Sequence, residues 1–163
     1  MRENRWGLAT EMIFVLTVIT VLKEWIFPFY IWRFFPSGDL AALMLEWMMI
    51  LVSVMTCFIY LGLGSTAKHI YGLRRREGWM VFAAVHIPLF LTGFIPFLPS
   101  SVFAIWYGLV GDGVQLFTQT SWLIHPGTII LLLCVLFLTG RGLKVVEEKP
   151  SRTGVADRKV RGS

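Results

Sequence analysis

Charge is what this chain has least of. Asp, Glu, Lys and Arg make up 15% of its 163 residues, against about 25% in soluble domains, and mean hydropathy is +0.69. No basic residue stands between Arg76 and Arg141. A net charge of +5 is compatible with nucleic acid, but its distribution excludes that partner. Thirteen of the 15 Lys/Arg fall in three patches, Arg2 with Arg5, Lys68 to Arg76, and Arg141 to Arg161. Patches that punctuate apolar runs are membrane-surface charge. Cysteine is nearly absent too. Cys57 and Cys134 lie inside apolar runs, with no C-x-x-C, which excludes a membrane thiol oxidase with paired outer cysteines and leaves small core-facing residues. No Ser/His/Asp set, metal-ligand spacing or phosphate loop occurs, so neither catalysis nor a cofactor is expected. "GLGSTA" (Gly62 to Ala67) has dinucleotide-fingerprint glycine spacing, but no βαβ unit surrounds it; small residues there favour close helix packing.

What is present is apolar sequence in long runs. Four can cross a hydrocarbon core of about 30 Å, which takes about 20 helical residues. They are residues 7–27, 40–67, 78–98 and 121–140. The first follows Arg2 and Arg5 as in a signal peptide, but it leads into "KEWIF" and not a small-x-small cleavage site, so it reads as retained. The positive-inside bias puts both termini and the loop "KHIYGLRRRE" in the cytoplasm. The reading is an all-α membrane protein of the cell membrane, a four-helix transmembrane bundle in residues 1–144. Residues 145–163 are polar, carry Pro and Gly, and read as a disordered cytoplasmic tail.

A further apolar segment, 101–117, would translocate seven Lys/Arg if it spanned. It carries Gly108, Gly111, Asp112 and Gly113, and glycine weakens a short helix. It is therefore expected as an extracytoplasmic interfacial segment between spans 3 and 4, anchored by Trp106 and Tyr107, or dipping back into the protein.

Lys23 and Glu24 fall at the outer end of the first span, before the aromatics Trp25, Tyr30 and Trp32, and Pro28 is expected to break the helix there. Both can snorkel to the headgroups. Glu46 offers a sharper alternative. It lies seven residues beyond Asp39, about 10 Å down the second span, where an ionised carboxylate costs roughly 2 kcal/mol or more. A Lys23–Glu46 pair would lower that cost, and a protonated Glu46 would avoid it. His125 could complete an outer ligand or proton site with Lys23 and Glu46, or be a lone satisfied histidine. Pairing His86 with His125 on one haem fails on depth, since they are roughly 12 Å apart along the membrane normal. Arg74, Arg75 and Arg76, with Trp25 and Trp106, are expected at the membrane surface.

Three stretches carry a family resemblance: "VLKEWIFPF", "GLVGDGVQLFTQTSW" and "TIILLLCVLFLTGRGLK". Together they resemble the N-terminal membrane region of bacterial transglutaminase-like membrane proteins, where such a region leads to further spans and an outer Cys-His-Asp domain. The resemblance implies a membrane module alone, from a truncated gene product or a stand-alone relative, and carries over no catalytic residue. The expected function is thus a non-enzymatic anchor or partner-binding subunit, in contact with lipid and with another membrane protein or its own copies. The alternative is a small transporter or ligand carrier using the outer polar cluster.

Overall fold

The computed structural model describes residues 2–92, 100–118 and 120–143, and among these it contains helices and turns but no strand. Residues 93–98 of the third expected span and the tail 145–163 lie outside the described residues.

The first helical rod is longer than its sequence suggests. Helix α1 (Arg2–Val21) runs through a single π-helical turn, Leu22–Ile26, directly into α2 (Phe27–Phe34). Pro28 therefore does not break the helix as expected. A proline lacks an N–H, and its ring collides with the carbonyl four residues back, here that of Glu24. Widening the preceding turn relieves the collision: the Phe27 N–H reaches back to the Leu22 carbonyl, five residues away. Pro28 then sits in the first turn of α2, where no intrahelical N–H is needed. Beyond it Phe29, Tyr30, Trp32 and Phe34 are exposed, and only Ile31 is buried.

Helix α3 (Gly38–His69) is the spine. Its 32 residues measure about 48 Å at 1.5 Å each. Val52, Thr56, Tyr60, Leu63 and Ala67 repeat every three or four residues and form its buried stripe. Trp47, Leu51, Val54, Met55 and Phe58 are exposed. The segments Asn4–Phe34 and Gly38–His69 are both long and apolar enough to cross a membrane. Helix α4 (Arg75–Thr92) runs antiparallel to α3 and buries Val81, Phe82, Val85 and His86. The turn between them passes through Gly72, whose φ of +60° lies in the left-handed region that glycine enters without strain.

Two shorter helices, α5 (Ser100–Phe117) and α7 (Pro126–Gly140), share the remaining flank of α3. Helix α5 packs beside its first half: Leu109 and Val110 lie against Ser53, and Gly113 against Met49. Helix α7 takes the second half through Leu61 and Gly64, and just beyond its end the Leu143 carbonyl meets the His69 ring. A Cβ on Gly64 would strike the Phe137 carbonyl, and one on Gly140 would strike that of Leu61, so the two backbones touch. Gly64 belongs to the "GLGSTA" stretch, and close helix packing is its use.

The segment 101–117 is thus not an interfacial strip outside the bundle. Trp106, Leu109 and Val110 are buried, with Gly108, Gly111 and Gly113 on the same helix. The glycines that weaken an isolated helix in water here let α5 approach α3 closely, and close packing is the main attraction between helices in an apolar medium. The run 121–140 is also not one helix. A four-residue turn, α6 (Ser121–Ile124), is separated from α7 by His125, which is extended at ψ 133°. Pro126 disfavours helical geometry at the residue before it, and the His125 side chain caps α7 by accepting from the Gly127 N–H at 3.1 Å.

One described member of each basic patch, Arg5, Arg74 and Arg141, lies at one end of the bundle. Arg5 bonds Glu77 at 2.5 Å, and Glu77 also accepts from the Arg74 N–H. Asn4 donates to the Tyr71 carbonyl, and the largely buried Arg141 donates to that of Leu73 at 2.6 Å. These bonds tie α1, α4 and α7 to the α3–α4 turn.

Candidate functional site

Lys23 leaves the rod within the π turn, so the feature that accommodates Pro28 also sets the direction of the lysine. Its ammonium lies 2.5 Å from the Asp112 carboxylate on α5 and 3.2 Å from that of Glu24. Room for the ammonium comes from Gly108, where a Cβ would stand 2.8 Å from Lys23 Nζ and 2.9 Å from Asp112 Oδ2. The spacing of Gly108 and Asp112, four residues apart, puts gap and carboxylate on one face of α5. Ser53 fixes the register of this face, with its hydroxyl bonded to the Met49 carbonyl at 2.8 Å and lying 3.2 Å from that of Leu109.

The cluster borders a cavity of about 240 Å³ between the π turn, α3 and α5. Its apolar lining comes from Phe27, Pro28, Leu45, Met48, Met49 and Val52, and its polar lining is Lys23, Glu24 and Asp112. Exposure is uneven among the charges: the lysine side chain is 10% exposed, Asp112 34% and Glu24 39%. One cation facing two carboxylates leaves a formal charge of −1, and the carboxylates are the members that a bound molecule or solvent meets.

A second polar cluster lies deeper, at the meeting of α3, α4 and α5. His86 Nδ1 donates to the Phe82 carbonyl at 2.8 Å, which leaves Nε2 as the acceptor for the Tyr60 hydroxyl at 2.5 Å. Tyr60 and His86 are both fully buried. Phe82 stacks on the imidazole with centroids 4.1 Å apart, and Trp106 meets it edge-on at 6.0 Å. The Trp106 indole N–H is buried without an acceptor in bonding geometry. Next along α5, the Tyr107 hydroxyl donates to the Ile124 carbonyl and fastens the α6 turn.

The residues expected to form one site separate. Lys23 takes Glu24 and Asp112 as ion-pair partners, and not Glu46, which is exposed and lines no part of the cavity. The π turn and the α5 glycines aim Lys23 at Asp112 on α5. His125 caps α7 and stands apart from the Lys23 cavity. Trp106, expected as a surface anchor, is 6% exposed and packs on His86 because α5 enters the bundle. Trp25 is exposed, as are Arg74, Arg75 and Arg76. Cys57 and Cys134 are free thiols.

Asp112 is the site residue that the sequence reading missed, although a signal existed. It is the only acidic residue between Glu77 and Glu147, inside a strongly apolar helix, and Lys23 is the only basic residue between Arg5 and Arg33. Isolated opposite charges in apolar segments are candidates for each other. Among the described residues no group of three His, Cys, Asp or Glu side chains is placed to hold a metal ion. No protein-family model, curated protein or solved structure matches this chain.

Proposed function

We propose that this chain is a multi-pass protein of the cell membrane, with both termini cytoplasmic, that receives a small ligand in the Lys23–Glu24–Asp112 cavity and performs no covalent chemistry on it. The observation that carries this reading is the join between an apolar cavity and an ion cluster whose charges do not cancel. Ligand sites are typically concave and mostly apolar, with a few convergent polar groups. Ionisable groups in membrane helices mark ligand, ion or proton pathways by default. The asymmetry of basic residues supports the orientation. A role as anchor or partner-binding module is the second reading. The exposed apolar face of α3 around Trp47, Met55 and Phe58 favours it, since that face suits lipid, a partner helix or another copy, and the resemblance to transglutaminase-like membrane regions agrees with such a role.

The test is thermal stability of the protein in zwitterionic lipid nanodiscs with n-butylbenzene and n-butylammonium added separately. The ligand reading expects at least one of them to raise the melting temperature of the wild type. Met48→Trp, which fills the cavity, should abolish that rise. No stabilisation by either compound, or an equal rise in Met48→Trp, would leave the anchor reading.

A further inference from the structure

The cavity's own chemistry narrows what it can hold. We infer that its ligand is a small lipophilic cation, an ammonium or similar monovalent positive group carried on an apolar body. This rests on reading the cavity as a ligand site and names the ligand's class.

Three observations converge on the sign of the charge. The described cation of the cluster is already engaged: Lys23 is bonded to Asp112 at 2.5 Å and lies 3.2 Å from Glu24, seated in the gap that Gly108 leaves. An incoming anion would have to break one of those pairs and would then meet the other carboxylate. The accessible members are the two carboxylates, at 34% and 39% exposure against 10% for the lysine. A cation entering beside Glu24 displaces nothing and completes a two-against-two arrangement. Among the described residues no other basic residue lines the cavity.

The walls fit the rest of such a molecule. Phe27 offers an aromatic ring, whose face attracts cations. Met48 and Met49 supply flexible, polarizable thioethers that adapt to ligands of differing outline. Leu45 and Val52 complete a surface that would bury an apolar body. At about 240 Å³ the space suits one ring and a compact headgroup and excludes a full phospholipid.

The experiment is calorimetric titration of the protein in zwitterionic nanodiscs with three probes built on one phenyl ring, the first two of nearly the same shape. Benzyltrimethylammonium is the cation, neopentylbenzene its uncharged isostere, and benzenesulfonate the anion. The cation is expected to bind at least tenfold more tightly than the uncharged isostere, with the anion weakest. This comparison needs no variant, so it stands whatever a substitution does to folding. Glu24→Gln should then weaken the cation about tenfold, Glu24→Asp should retain most of the affinity, and Glu46→Gln should match the wild type. Equal or tighter binding of benzenesulfonate would overturn the assignment, as would a folded Glu24→Gln protein with unchanged affinity for the cation. If neopentylbenzene binds and the cation does not, the cavity is a ligand site of another class. If none of the three binds, neither this inference nor the ligand reading beneath it survives.

Discussion

The Lys23 cluster and the His86 cluster are both polar groups set among apolar helices, and they are built in opposite ways. The His86 cluster is neutral, fully buried and sealed by rings. Each nitrogen of the imidazole has a partner, and the neighbouring Phe82 and Trp106 exclude water. The Lys23 cluster is charged, half-open and uneven in its count of charges. A buried hydrogen bond whose partners are both satisfied stabilises one packing of its helices, and so the Tyr60–His86 bond reads as a fastening between α3 and α4. A cluster with an excess carboxylate beside an apolar void is incomplete on its own. On the proposed reading, the difference teaches that burial does not identify the working residue in such a bundle. Residual charge beside available space is the better guide.

Removing Tyr60 should show the larger effect. Tyr60→Ala empties a fully buried position at the meeting of α3 and α4, and large-to-small changes of aromatic residues cost about 3–5 kcal/mol. Tyr60→Phe keeps the ring but leaves His86 Nε2 without its donor, a penalty of about 1–3 kcal/mol. Both losses should appear in unfolding measurements in detergent, and ligand affinity in the folded fraction should be unchanged. A Tyr60→Phe protein of wild-type stability with altered binding would reverse the roles assigned to the two clusters.

The Lys23–Asp112 pair comes next. Breaking a fully buried ion pair from one side costs about 3–5 kcal/mol. Asp112 is about one-third exposed, so solvent screening should bring Asp112→Asn down to about 1–2 kcal/mol. Lys23→Met should cost a similar amount, and the double variant less than the sum of the two, since neither charge is then left alone. Additive losses would show that each group is solvated separately and that the contact contributes little.

Gly108→Ala tests the geometry beneath that pair with a smaller change. The new methyl would press on the Lys23 ammonium and the Asp112 carboxylate, both far ends of flexible side chains that can move aside. A stability loss of about 1 kcal/mol or less is expected from such overpacking, together with altered affinity at the cavity. Gly62→Ala, which meets open space on α3, serves as the control. Equal behaviour of the two alanine variants would mean that Gly108 has no part in seating Lys23.

The legible part of this fold was its longest helices and its charge asymmetry. The expected runs 7–27 and 40–67 lie inside the helical segments 4–34 and 38–69, although the first was expected to end at Pro28, and Arg5, Arg74 and Arg141, one from each basic patch, gather at one end. Less visible was the place of α5. Trp106 and Tyr107 followed by glycines fit an interfacial helix and a buried one equally well, because both need one apolar face. The close approach of α5 to α3 decides between them, and it depends on the partner backbone at Met49 and Ser53, far away in sequence. The partner of Lys23 was hidden for the same reason. Adjacency of α1 and α3 in the chain suggested Glu46, whereas the π turn at Leu22–Ile26 and the Gly108 gap select Asp112. A proline is easy to see in a sequence; whether a helix answers it with a break or a wide turn depends on what the rest of the helix packs against.

The smallest effect belongs to the basic end, where a third polar cluster combines charge with contact to water. Glu77 accepts from the Arg74 N–H and from Arg5, and these bonds, the backbone one first, hold its carboxyl below the usual 4.5. A carboxyl depressed on folding contributes stability that is present above its unfolded value and lost as pH falls through the folded value. Relative to wild type at pH 7, Glu77→Gln should be slightly destabilised, and the two proteins should converge as the pH is lowered from about 5 towards 3. Melting curves across that range check this, with the difference at pH 7 expected to be smaller than that of Asp112→Asn. Arg5 is 42% exposed, so added salt should screen its part of the contribution, while the Arg74 N–H bond should persist. Convergence on acidification together with partial loss in salt would identify a solvated clamp on the α3–α4 turn. A difference unmoved by pH would place the effect of the substitution in packing and outside the carboxylate's charge.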